Sequence, residues 1–164
     1  MRKPAAPKPK ASAVQSVGQC VCGAVRLEID VPAVWAWHDH SPASRHAQGA
    51  AYATYVGSWR SRFRILEGEA QISRYEDPQL GTARSFCAVC GTPLFYERAR
   101  SPKMVNIPRA LFAERTGREP RYHGAVAQMA DWTWRGETMV PLKGYPGIMF
   151  VRPRKKPPTP EGLF

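Results

Sequence analysis

Four cysteines carry the strongest chemical signal in the chain. Cys20-Val21-Cys22-Gly23 and Cys87-Ala88-Val89-Cys90-Gly91 are two tight pairs lying far apart in sequence. Two such pairs can supply the four thiolates of a tetrahedral zinc site. A glycine after each pair suits the sharp turn that aims backbone N–H groups at sulfur. A site of this kind contributes on the order of 10–16 kcal/mol to folding, against a net stability of about 5–15 kcal/mol for a typical domain. Disulfides would need an oxidising compartment, which nothing in the sequence advertises. A thioredoxin-like role for Cys87 and Cys90 would need a βαβ setting, which is absent. Iron also accepts four thiolates, though nothing here asks for it. One structural zinc is therefore the expectation.

A second concentration of reactive side chains spans Asp39 to His46. Imidazole and carboxylate together can hold zinc, manganese or iron, so Asp39, His40 and His46 are candidate ligands of an altered metal centre. In an extended segment His38 and His40 face one side, Asp39 and Ser41 the other. A shared ion then requires a turn, which Ser41-Pro42 could provide. The alternative is a set of hydrogen-bonded polar residues. Ser44 with His40 or His46 as base lacks an acidic orienter and an oxyanion loop. His123 reads as a lone histidine, at the surface or in the core. Arg60, Arg62 and Arg64 could bind an anionic ligand, but a solvated strand face explains them as well.

The elements that must position these groups are mostly strands. Val25 to Val31 alternates apolar and charged residues strictly, as in a half-buried strand. Trp59 to Ile65 alternates likewise, and Ala70 to Tyr75 resumes after Glu67-Gly68-Glu69, which suggests a hairpin. Arg84 to Phe86 is strand-like, and Tyr52 to Val56, Leu94 to Tyr96, Met104 to Ile107 and Ala125 to Met129 are further short candidates. Only Ala110 to Arg115 looks helical. With 16 prolines and 13 glycines among the short strands, the composition points to an all-β domain rich in turns.

The chain of 164 residues fits one domain over residues 15–151 flanked by basic tails at 1–14 and 152–164. Four cations in the first tail and a net three in the second leave four of the formal +11 to the domain. Such tails, rich in Pro, Lys and Ala, are expected to be disordered and to bind polyanions weakly and without selectivity. They add a nucleic-acid or anionic-partner adaptor to the functional alternatives. No apolar stretch approaches a secretion signal or a membrane span, so a cytoplasmic location is the default expectation.

Arg84-Ser85-Phe86-Cys87-Ala88-Val89-Cys90-Gly91-Thr92-Pro93-Leu94-Phe95 resembles the glutathione-dependent formaldehyde-activating enzyme (GFA) family, also called the centromere-protein-V/GFA domain. Gly18-Gln19-Cys20-Val21-Cys22-Gly23-Ala24-Val25 is similar to the same family's opening motif. Arg64 to Glu69, Trp132 and Val140-Pro141 follow its spacing more loosely, so the resemblance covers roughly residues 17–146. It implies a tent-like, all-β fold with a structural zinc on the four cysteines. It also implies carbon–sulfur lyase-type chemistry on a glutathione–formaldehyde adduct, with a small anionic thiol as ligand. That reaction is associated with a second zinc in a motif of form C-H-C-x-x-C-R-R-x-x-G. Aligned on Gly49, the counterpart is Asp39-His40-Ser41-Pro42-Ala43-Ser44-Arg45-His46-Ala47-Gln48-Gly49. His40, Arg45 and Gly49 match, but Asp39, Ser41 and Ser44 replace all three cysteines. A serine hydroxyl is a poor zinc ligand beside a thiolate. The expected protein thus keeps the structural zinc and lacks the catalytic one.

Overall fold

The computed structural model describes residues 14–133, 139–141 and 147–150. The basic tails, Val14 apart, lie outside the described residues.

Among the described residues, twelve strands and one short helix follow one another in chain order. They are β1 (Gln15–Gln19), β2 (Arg26–Asp30), β3 (Trp35–Asp39), α1 (Pro42–Gln48), β4 (Ala53–Trp59), β5 (Phe63–Glu67) and β6 (Ile72–Asp77). After these come β7 (Thr82–Cys87), β8 (Pro93–Arg98), β9 (Met104–Pro108), β10 (Tyr122–Gly124), β11 (Met139–Pro141) and β12 (Gly147–Phe150). The fold is mostly β, as the period-two patterning implies. The chain forms two compact units, Met1–Val34 with Val56–Arg118 and Trp35–Tyr55 with Glu119–Phe164.

In the first unit, β2 pairs antiparallel with β1 on one side and β5 on the other. Its alternation is realised as expected: Leu27 and Ile29 are fully buried while Arg26, Glu28 and Asp30 are half-buried. The charged face is matched across the ladder, with Glu28 opposite Arg64 and Arg26 opposite Glu67. The same unit contains the antiparallel succession β9-β8-β7-β6, whose inward residues Leu94, Val105 and Ile107 are fully buried.

In the second unit, strand neighbours run β11-β12-β10-β3. The β3–β10 pairing is parallel and short, matching His38 with His123 and Asp39 with Gly124. Trp37 and Tyr55 are both buried, with ring centroids 5.4 Å apart.

Several expected elements differ. Residues 60–62 form a 3₁₀ turn, so Trp59 to Ile65 is two strands, not one. The proposed hairpin does not form, because β5 pairs with β2 while β6 pairs with β7. Ala125 to Met129 is a turn with its 3₁₀ segment at Val126–Gln128, and the local strand is β10 just before it. Around Ala110 only a 3₁₀ turn, Arg109–Leu111, is present. The true helix is α1. Ser41 caps its N-terminus, proline occupies its first turn and Gly49 closes it at φ 60°, in keeping with the usual roles of these residues.

One turn residue ties β5 to the cysteine region. Gly68 has φ +75°, and a Cβ there would lie 1.9 Å from the Ala24 carbonyl oxygen. Gly81 also has positive φ, at +58°, but its nearest neighbour would be Ala99 Cβ at 3.7 Å. Gly81→Ala should therefore cost about 1–2 kcal/mol from the left-handed conformation alone. Gly68→Ala should cost clearly more, because the backbone must also shift. Urea denaturation of the two variants measures the difference, and equal losses would contradict the close approach.

Candidate metal centre

All four cysteines lie in the first unit, and their sulfurs fall within 4.8 Å of one another. Cys20 and Cys22 sulfurs are 3.5 Å apart, and Cys22 and Cys87 sulfurs 3.8 Å. These spacings match the edge of a tetrahedron with metal–sulfur bonds of about 2.3 Å and are far too long for disulfides, for which about 2.05 Å is required. The thiols are free, Cys20 and Cys87 buried, Cys22 and Cys90 exposed.

The local chain explains the convergence. Each pair forms a tight turn, closed by Gly23 N–H to Cys20 O at 3.0 Å and Gly91 N–H to Cys87 O at 2.8 Å. Both glycines are left-handed, at φ 76° and 73°. Val25 N–H donates to Cys20 Sγ at 3.3 Å. Thr92 joins the two turns: its hydroxyl oxygen accepts from Val21 N–H at 3.2 Å and lies 3.1 Å from Cys90 Sγ. The spacing of the cysteines gave no sign of this supporting role.

The electrostatics call for a cation. The hydroxyl and N–H of Thr92 lower the Cys90 thiol to about 5. At Cys20 burial opposes ionisation, but the Val25 N–H and neighbouring thiols outweigh it and hold the group below its ordinary value. At Cys22 the Ala24 N–H favours the thiolate, yet the sulfurs of Cys90 and Cys20 push the group up to about 12. Four thiolates so close cannot all ionise without a positive charge among them, and a divalent ion supplies it. The donor set and spacing fit zinc.

The candidates between residues 39 and 46 lie in the second unit and separate into different groups. Asp39 is buried and accepts from Ser41 N–H at 3.0 Å and from Ser44 Oγ at 2.9 Å. Ser44 is buried too. Arg45 is half-buried and His46 exposed, both on α1. Asp39, His40 and His46 do not converge: among the described residues, only the four cysteines form a group of three or more His, Cys, Asp or Glu side chains with all ligand atoms that close. Nor is Ser44 set up as a nucleophile, since its hydroxyl is committed to Asp39.

His40 instead faces residues that sequence reasoning passed over. Its Nε2 is 2.6 Å from Nδ1 of His123, and the two rings stack. His38 stands with its ring centroid 4.7 Å from that of His123, and its Nδ1 is 2.9 Å from Thr54 Oγ1. Tyr52 contacts all three imidazoles, at 5.0 Å, 5.1 Å and 6.1 Å between centroids. His123 is therefore not a lone histidine. Burial, then the charge of the neighbouring imidazoles, lowers both His38 and His123 to about 4.

The arginine stripe dissolves into ion pairs. Arg64 bonds Glu28 and Asp30, and Arg60 bonds Glu97, which also accepts from Arg74. That favours the solvated-face explanation over an anion site built from Arg60 and Arg64.

A mostly β chain whose two distant cysteine turns bring four sulfurs within reach of one metal ion is a β protein with a candidate zinc site. Residues 15–128 match the family described as glutathione-dependent formaldehyde-activating enzyme, and the chain belongs to that family. A crystal structure of a Rhodobacter sphaeroides protein, solved as a structural-genomics target, superposes with a TM-score of 0.51 at 21% identity. The match covers 60% of this chain and 89% of that one and concerns the fold. No curated protein sequence matches. No helix among the described residues is long and apolar enough to cross a membrane.

Each cluster yields its own expected outcome. Cys87→Ser or Cys90→Ser should lose zinc and unfold the first unit, whereas Thr92→Val should keep the fold and weaken zinc about 10–100-fold. Chelator competition with far-UV circular dichroism separates these cases. At His38 and His123 the folded chain refuses protons that the unfolded chain takes up below about pH 6.5. Their contribution to stability is complete above that pH and is lost as pH falls toward about 4. Melting temperature should accordingly fall less steeply between pH 6.5 and about 4 in His123→Gln than in the parent chain, the cysteine contribution being common to both.

Proposed function

We propose that this chain is a zinc-stabilised member of the GFA family that does not carry out the glutathione–formaldehyde reaction its family is named for. One observation carries the reading. The positions aligned with the three cysteines of the family's second zinc motif are Asp39, Ser41 and Ser44, and they bond to one another. The Asp39 carboxylate bridges the Ser41 backbone and the Ser44 hydroxyl, linking the three positions that the ion would link. No thiolate is left there to hold zinc, and the oxygens that replaced the sulfurs are already committed.

The zinc expected on Cys20, Cys22, Cys87 and Cys90 would then serve folding only. A structural site of four protein ligands is closed, with no open position for substrate. The carbon–sulfur lyase alternative through Asp39, His40 and His46 is weakened by the separation of those three side chains.

The test is adduct formation between glutathione and formaldehyde, followed by exchange NMR with and without the zinc-loaded full chain. The expected result is no acceleration over the spontaneous rate. Acceleration that disappears in Asp39→Ala would overturn the proposal. Ser44→Ala should cost about 1–3 kcal/mol in denaturation, because it leaves a buried acceptor short of a donor, and should leave the adduct rate unchanged.

A further inference from the structure

We propose that Cys22 and Cys90 form an oxidation site, at which hydrogen peroxide joins them in a disulfide and releases the zinc ion. This role rests on the zinc assignment above and goes beyond it, because that assignment gives the ion a part in folding only. The four sulfurs divide into an inner and an outer pair. Cys20 and Cys87 are buried, whereas Cys22 and Cys90 are exposed. The outer pair sits on open turns, where Val21 is 90% exposed and Val89 64%. Among the described residues, no atom would stand within 4 Å of a Cβ added at Gly23 or Gly91. Peroxide therefore reaches Cys22 and Cys90 before the other two.

The inner pair is also held more firmly. The Cys20 N–H donates to Val25 O at 3.0 Å, and its sulfur accepts from Val25 N–H. Cys87 ends β7, and its N–H donates to Thr92 O at 2.9 Å. Cys22 and Cys90 lie on different turns, yet their sulfurs are within 4.8 Å of each other. The gap to the S–S distance of a disulfide, about 2.05 Å, is thus less than about 3 Å, shared between two exposed side chains. The chemistry balances with peroxide alone. One outer thiolate attacks a peroxide oxygen, the O–O bond breaks, and hydroxide departs from a sulfenic acid. The other outer thiolate attacks that sulfur, the S–S bond forms, and a second hydroxide leaves. Two electrons pass from the sulfurs to peroxide, and zinc is left with Cys20 and Cys87 alone, two of its four ligands. The new bond spans the same two turns that zinc had joined. The first unit therefore stays tied while its ion is freed.

The experiment treats the zinc-loaded full chain with increasing hydrogen peroxide. A chromogenic chelator reads the free zinc, non-reducing peptide mass spectrometry reads the linkage, and far-UV circular dichroism reads the fold. The expected result is one zinc released per disulfide formed, with Cys22 linked to Cys90. The oxidised chain should keep its β signal, whereas the reduced chain stripped by chelator loses it. Dithiothreitol followed by zinc should restore the starting state. Zinc retained at a peroxide dose that fully oxidises free glutathione would overturn the proposal. So would a Cys87–Cys90 or any other linkage, sulfinic acid in place of a disulfide, or unfolding of the oxidised chain. A reduced chain that takes up no zinc would instead refute the zinc assignment, and the oxidation site with it. Every reading uses the parent chain, and none depends on whether the glutathione reaction is lost.

Discussion

The convergence of four sulfurs is the constraint on which the first unit depends. Cys20 and Cys22 precede β2, whereas Cys87 ends β7 and Cys90 lies in the turn before β8. Bringing them within 4.8 Å ties the three-stranded β1-β2-β5 ladder to the β6–β9 succession. The neighbourhood is arranged around that tie. Gly68 must lack a Cβ because the Ala24 carbonyl after the first turn comes so close. Thr92 links the second turn back to Val21. Without a cation the cluster works against itself, as the upward push on Cys22 shows. With one, the same repulsion becomes a reason for the site to hold its ion.

The second unit solves a related problem with hydrogen bonds. Before and within α1, a carboxylate and two serines on one short stretch bond to one another. A buried carboxylate accepting a hydroxyl and a backbone N–H is worth a few kcal/mol at most, far less than the on the order of 10–16 kcal/mol a structural zinc contributes. That difference is acceptable because the stretch to be held is short. Ser41 also caps α1 and Gly49 ends it, so the backbone is already shaped by local signals. A metal there would add chemistry more than architecture.

How much of this was legible depends on the range of each interaction. The cysteine pairs were legible because spacing and flanking glycines are local facts, and β2 was legible because a half-buried strand writes its own alternation. Helix α1 was not, since Pro42–Gln48 carries no apolar stripe; yet Ser41, Pro42 and Gly49 marked both of its ends. The Trp59–Ile65 alternation misled because three residues in its middle turn, and β5, beyond that turn, pairs with a different partner. His123 could not be joined to His38 and His40 from sequence at all. Only the two-residue parallel register of β3 and β10 makes them neighbours, and nothing local encodes a parallel partner more than eighty residues away.

The two clusters also differ in kind, and that bears on what a family name can mean for a single chain. Thiols packed together resist ionisation, as at Cys22, until a cation sits among them. Imidazoles packed together shed protons instead, as at His38 and His123, and the contact holds without an ion. The first arrangement ties two distant turns together, and all four of its sulfurs are in place. The second stands beside Asp39: His38 precedes it on β3, and His40 follows just past the end of the strand. Because strand side chains alternate, His38 and Asp39 face opposite ways. Membership in the family therefore names the fold, while the chemistry of residues 38–44 has to be argued from the side chains present.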